Sequence, residues 1–162
     1  MPPSNNTQNV GITHTDGIER IKVSFVHKYE DGSFETENMW CIKITDETYE
    51  IDNIPFIVRR VSLGDIITVA FDEEEQRFYF ESFVSVSGNS TIRVYFEDEN
   101  QIQLTRDRLV GFTCASEGFL SRKMIAVNVP SDVAYKPIKD FLDEGEANKQ
   151  WEYEESCLCH EI

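Results

Sequence analysis

Two observations predict an α+β fold for this chain. About six short apolar stretches separated by turn residues fill the first half of its 162 residues, and the apolar period changes after Gly88. The first half therefore reads as a small β-barrel or β-roll over residues 18–88. The second reads as a β-α-β-β-α-β series over residues 89–162, the signature of a ferredoxin-like unit.

Residues 1–17 are polar, with Pro2, Pro3, Asn5 and Asn6, and read as a flexible tail. Ile21, Val23 and Phe25 then alternate with Lys22, Ser24 and Val26 as a half-buried strand, and Asp31-Gly32 is a turn signal. Strands follow over residues 39–45 and 49–51. Two more are expected over 57–61 and 66–71, with Ser62-Leu63-Gly64-Asp65 as the bend between them. Asp72-Glu73-Glu74-Glu75 is a hairpin tip, since four adjacent acids are not tolerated inside, and residues 78–86 close the series. After Gly88, Ile92, Val94 and Phe96 alternate as a strand. Asp98-Glu99-Asn100 offers caps for a helix over 101–110, and Gly111 sits just past its end. Strands are expected over 112–120 and 125–129. A second helix follows over 136–145, with Pro137 in its first turn and Ile138, Phe141 and Leu142 inward. Trp151 and Tyr153 mark the last strand.

Charge narrows the function classes. Thirty acidic residues against fifteen basic ones give a net charge of −15, which repels phosphate and argues against nucleic acid and anionic membranes as partners. A basic protein is the favoured partner. No apolar run reaches the roughly 18 residues a bilayer span needs. The N-terminus lacks a basic start and an apolar segment, so it does not read as a signal peptide. Four cysteines without such a signal do not suggest a disulfide framework, and cytoplasmic residence is the expectation.

Four motifs carry a resemblance: Asn53-Ile54-Pro55-Phe56, Ser62-Leu63-Gly64-Asp65, Ser87-Gly88-Asn89-Ser90-Thr91-Ile92-Arg93 and Trp151-Glu152-Tyr153-Glu154-Glu155. Through them the chain resembles a bacterial domain of unknown function, family 4265, over about residues 21–160. The resemblance implies a bacterial, non-secreted protein and no established activity. Cys157-Leu158-Cys159-His160 also resembles the family's ending, which implies Gly or another small residue in place of Cys159.

Each candidate chemistry in the sequence has a structural alternative. Cys157, Cys159 and His160 are metal-ligand types, but a structural zinc site needs four ligands. Cys41, Cys114, His14 and His27 stand in no C-x-x-C or H-x-x-H spacing, so neither a metal nor a cofactor is expected. Nucleophilic catalysis needs a Ser or Cys beside a base, and no G-x-S-x-G elbow or glycine-rich phosphate loop is present. No catalytic residue is assigned. Glu37, Trp40, Asn53, Asp65, Asn89, Ser90 and Arg93 adjoin turns or strand ends and form a candidate ligand-binding set, with Arg93 the cation able to grip a carboxylate or phosphate. In the structural alternative, Asp65 and Asn53 bond their own turns and Arg93 pairs with a carboxylate. Asp72, Glu73, Glu74, Glu97, Asp98 and Glu99 form the candidate partner-binding set.

The sequence therefore predicts a non-catalytic acidic binding protein, of the kind that acts as an immunity or inhibitor protein toward a basic partner such as a toxin domain. The alternative is a small ligand-binding or enzymatic domain using the Arg93 set in a pocket between the two subdomains. A third reading, a module of a larger assembly, would show as an exposed apolar patch or sheet edge. Sequence does not decide the oligomeric state.

Overall fold

The computed structural model describes residues 12–162. They divide into two compact units. One holds the described residues up to Asn53 together with Gly64–Val86, and the other holds Ile54–Leu63 together with Ser87–Ile162.

The first unit opens with a hairpin, β1 (Ile12–Thr15) pairing with the start of β2 (Ile18–Lys28). Asp16 and Gly17 turn it with φ of 52° and 75°, the left-handed backbone a two-residue hairpin requires. Residues 12–17, expected as part of a flexible tail, form this hairpin strand and turn instead. Asp16-Gly17 is a hairpin signal that the polar surroundings conceal, while residues 1–11 lie outside the described residues. β3 (Phe34–Lys43), β4 (Tyr49–Ile51), β5 (Ile66–Asp72) and β6 (Arg77–Ser85) continue as an antiparallel meander. β6 returns to β2 through Val23↔Phe78 and Ser24↔Tyr79. Five strands that alternate in direction leave the first and last pointing the same way, so this closing pair is parallel. The barrel expected from the alternation is therefore present and closed. Ile21, Val23, Phe25, Met39, Cys41, Ile51 and Ile67 fill its interior, and Phe80 stacks on Phe25 with ring centres 5.2 Å apart.

The strand expected over residues 57–61 does not form. Apolar side chains at Ile57, Val58 and Val61 imitate a strand, but Arg60 adopts φ 63° and breaks the extended backbone. The segment belongs instead to the second unit, where its carbonyls find a side-chain partner described below.

That second unit runs β7 (Ser90–Phe96), α1 (Asn100–Val110), β8 (Ala115–Phe119), β9 (Met124–Val129), α2 (Lys136–Ala147) and β10 (Trp151–Cys157). Its sheet has the order β10-β7-β9-β8, with every neighbouring pair antiparallel. Asp98 caps α1 by accepting the Asn100 N–H at 2.9 Å. The helix buries Ile102, Thr105 and Leu109, one stripe at helical spacing. β8 is shorter than the expected 112–120. Phe112, Thr113 and Cys114 donate their N–H groups back to Leu109 and Val110, closing the helix, and Thr113 reverses the chain at φ 65°. At the other end, Leu120–Arg122 form a 3-10 turn.

Ile92, Val94 and Phe96 of β7 and Ile125, Val127 and Val129 of β9 face the helices and pack with Leu109, Ile138 and Leu142. Trp151 lies over Gly145 of α2 and donates its Nε1–H to the Leu142 carbonyl at 3.0 Å. A Cβ at Gly145 would stand 1.9 Å from the Trp151 ring, so the ring occupies the space glycine leaves. All six residues of β9 are buried, which requires cover on the opposite face as well. Residues 54–63 supply it: Phe56 meets Phe119 edge-on at 5.3 Å and Ser62 bonds Thr91 at 2.8 Å.

Candidate functional site

The seven residues of the candidate ligand set divide between the two units, and the side chains of Asn53, Asn89, Ser90 and Arg93 bond to the main chain. In the first unit Asn53 Oδ1 accepts the Trp40 N–H at 2.6 Å, and the Trp40 carbonyl accepts the Asp52 N–H at 2.9 Å. These bonds stitch the end of β4 to β3. Lys22 Nζ stands 5.1 Å from the centre of the half-buried Trp40 ring, a cation–π contact. Asp65 is 2% exposed, and its carbonyl accepts the Ile51 N–H at 2.9 Å. Glu37, 7% exposed, pairs across from Phe25 in the β2–β3 ladder. Trp40 and Asn53 are brought together, as a turn-closing contact.

In the second unit Asn89 bridges two loops, donating Nδ2–H to the Leu63 carbonyl at 2.8 Å and accepting the Ser131 N–H at 2.9 Å. Arg93 is 2% exposed. Its Nη1 donates to the Ile57 carbonyl at 2.8 Å, Nη2 donates to the Val58 carbonyl, and Glu154 lies 3.4 Å away. Arg93 thus holds the irregular 54–63 segment against the sheet. Its fork is aimed at main-chain carbonyls, where the ligand reading places a carboxylate or phosphate. Glu154 also accepts from Arg59 at 2.7 Å and from the Tyr95 hydroxyl at 2.9 Å. Burial and that carboxylate together push the Tyr95 phenol up to about 12.

Ser90 and His160 lie 2.5 Å apart, Oγ to Nδ1, which has the outline of a nucleophile–base pair. The surroundings give it a different task. Ser90 is fully buried, and its Oγ already accepts the N–H groups of Cys159 at 2.8 Å and His160 at 3.3 Å. His160 Nε2 sits 2.8 Å from the Pro130 carbonyl, which can only accept. The proton is therefore on Nε2, and Nδ1 receives the Ser90 hydroxyl proton. The pair locks the end of the chain onto β7.

Among the described residues no cluster of three His, Cys, Asp or Glu side chains is arranged to hold a metal ion. In the Cys-x-Cys-His ending the two sulfurs are 3.9 Å apart, while both imidazole nitrogens are engaged elsewhere. No helix among the described residues is long and apolar enough to cross a membrane.

The six candidate contact carboxylates are all exposed. Asp72, Glu73 and Glu74 sit at the β5–β6 turn of the first unit, where Asp72 Oδ1 accepts the Glu75 N–H at 2.9 Å. Glu97, Asp98 and Glu99 form the β7–α1 connection of the second. Glu97 also lines a groove of about 700 Å³ whose walls include Tyr95, Glu146, Glu152, Tyr153 and Lys149. Tyr95 and Glu152 are direct cross-strand partners, and Glu146 accepts the Tyr153 N–H at 3.1 Å. None of the seven ligand-set residues lines this groove. Its members come from β7, the end of α2 and β10, so residues distant in sequence meet there. The alternation of Trp151 and Tyr153 with Glu152 and Glu154 was the available signal for part of it.

Comparisons with known proteins give a family and a fold. The model of a family described as a domain of unknown function (DUF4265) matches residues 37–153. No curated protein matches the chain significantly. A crystal structure of a hypothetical protein from Neisseria gonorrhoeae is similar in fold, with a TM-score of 0.73 and 20% identity. The similarity covers 85% of this chain and 94% of that one.

Proposed function

The chain belongs to the DUF4265 family, whose description names no activity, and on that premise we propose that it is a non-catalytic acidic protein that binds a basic protein partner. The observation that carries this reading is the groove of the second unit, lined by Glu97, Glu146 and Glu152 together with Tyr95 and Tyr153. A lysine or arginine side chain suits such a surface, its apolar stem against Tyr95 and its charged head near Glu152, the cross-strand partner of Tyr95. Lys149 offsets one of those charges and helps set the register of the incoming cation. The exposed acids at 72–74 and 97–99, with the net charge of −15, support steering of a basic partner from a distance. An immunity or inhibitor role toward a basic toxin domain is the form of this function that the charge best suits.

Two finer readings accompany it. We infer a ferredoxin-like topology for the second unit, supported by its β-α-β-β-α-β order and the strand order β10-β7-β9-β8. Cytoplasmic residence is supported by four cysteines that stand outside any disulfide. The ligand-binding or enzymatic alternative is less favoured, because Asn53, Asn89, Ser90 and Arg93 direct their polar atoms to the main chain. A role as a module of a larger assembly has one observation in its favour, the exposed Phe83, Val84 and Val86 at the end of β6.

The test is affinity capture at low salt followed by elution at high salt, since screening shortens the reach of charge from about 10 Å at 0.1 M to about 3 Å at 1 M. The eluted basic protein is then purified and titrated against the wild type and a Glu97→Lys, Glu146→Lys, Glu152→Lys variant. Binding that weakens with salt and at least tenfold with the variant supports the reading. Affinity unchanged by both would refute it.

A further inference from the structure

We infer that Cys157 and Cys159 form a reversible modification site, a dithiol that closes to an intrachain disulfide by exchange with a low-molecular-weight disulfide. The inference stands apart from the basic-partner reading. The juxtaposition carrying it is a Sγ–Sγ distance of 3.9 Å between two cysteines on a chain end whose backbone is fixed on both sides. Cys157 is the last residue of β10 and pairs with Thr91, just beyond the irregularity that follows Glu155. Cys159 is held by its N–H bond to Ser90, and His160 by its ring contacts to Ser90 and Pro130. The two sulfurs are thus kept adjacent by main-chain anchors. Closure has to bring them from 3.9 Å to the roughly 2.05 Å of a disulfide.

Exposure sets the order of events. Cys159 is exposed and Cys157 half-buried, whereas Cys41 and Cys114 are buried and their thiols are pushed up to about 12 and about 11. The Cys159 thiolate attacks one sulfur of the small disulfide, the S–S bond breaks, and one thiolate leaves. The Cys157 thiolate then attacks Cys159 Sγ, breaking the mixed disulfide and expelling the second small thiolate. The two protons lost by the cysteines are taken up by the two leaving thiolates, so the protein is oxidised by two electrons and the small disulfide is reduced by two. The ring closes over a single intervening residue, Leu158. It therefore gains little from loop closure and falls in the readily reduced, exchangeable class rather than the structural one.

The experiment uses the reduced full chain with oxidised glutathione, followed by intact mass and peptide mapping. The expected product is a monomer lighter by two hydrogens, with Cys157 joined to Cys159 and with Cys41 and Cys114 still reduced. Reduced glutathione in excess reverses it. In Cys157→Ser the glutathione adduct on Cys159 persists instead of resolving. A lasting adduct on the wild type, an interchain disulfide as the main product, or no consumption of either thiol would each overturn the inference.

Discussion

Arg93 tests the central structural claim, that a buried cation holds residues 54–63 on the sheet of the second unit. Arg93→Met keeps the stem and removes the charged fork. Lost with it are two bonds to the carbonyls of Ile57 and Val58 and the contact with Glu154. A hydrogen bond to a charged group contributes about 1.5–3 kcal/mol net, so two give about 3–6 kcal/mol. The guanidinium's own desolvation cost, which methionine escapes, offsets part of that. The net lies near the 3–5 kcal/mol typical of breaking a buried charged pair from one side. At about 2–4 °C per kcal/mol for a chain of this size, the midpoint of thermal unfolding falls by on the order of 10 °C. Urea denaturation followed by tryptophan fluorescence can localise the effect, because Trp151 lies in the second unit and Trp40 in the first. Arg93→Lys should be intermediate, since a single ammonium cannot reproduce a planar fork. Amide exchange adds a local readout: the Arg60 N–H, bonded to the Ser156 carbonyl at 2.9 Å, should exchange faster in Arg93→Met. A loss below about 1 kcal/mol, the scale of an exposed ion pair, would refute the clamp.

Further predictions address packing, thiols and pH. Gly145→Ala should destabilise by about 1–3 kcal/mol although alanine favours a helix by about 1 kcal/mol over glycine. The new methyl meets the Trp151 ring at 1.9 Å, and equal or greater stability in urea would refute that packing. Titration with a thiol reagent on the native protein should show two fast cysteines, Cys157 and Cys159. Two more should appear only on denaturation, because burial protects Cys41 and Cys114; four equivalent rates would contradict the core assignment. Stability should fall as pH rises from about 9 to about 12. Burial raises Cys41 to about 12, Cys114 to about 11 and Tyr95 to about 12, and Tyr135 is raised too by burial and its bond to Glu155. The unfolded chain therefore loses these protons first, binds fewer of them over that range, and gains in relative stability. A rise in urea midpoint between pH 9 and 11 would overturn the assignment.

Much of the fold was legible because its elements are regular. The alternation of Ile21, Val23 and Phe25 and the helical spacing of Ile138 and Leu142 report the faces they bury, and Asp31-Gly32 reports its turn. Residues 57–61 misled because apolar content alone does not distinguish a strand from an irregular segment bonded by side chains such as Arg93 and Thr91. Neither Arg60's left-handed backbone nor the distant Arg93 that bonds the segment leaves a local mark. The hairpin at Asp16-Gly17 carried a usable signal that the polar surroundings obscured. The groove around Tyr95 was largely illegible, since it depends on β10 lying beside β7 rather than on proximity in the chain.

The candidate set around Arg93 shows why polar residues beside turns are ambiguous. An irregular chain segment cannot satisfy its carbonyls in a ladder, and burying them unpaired costs about 1–3 kcal/mol each. Such a segment needs side-chain partners, so Asn, Ser and Arg accumulate beside it for the same reasons of geometry that would recruit them to a ligand. Asn89 and Arg93 meet that need at the carbonyls of Leu63 and of Ile57 and Val58, and Ser90 does the equivalent for the N–H of Cys159. Some of the acidic residues meet a main-chain demand too, Asp72, Asp98 and Glu146 each accepting an N–H. Glu97 and Glu152 stay exposed around a concave surface walled by Tyr95 and Tyr153, although like charges held near one another oppose folding. A surface that retains this repulsion gains from a cation that relieves it, which is the physical ground for seeking the partner among basic proteins.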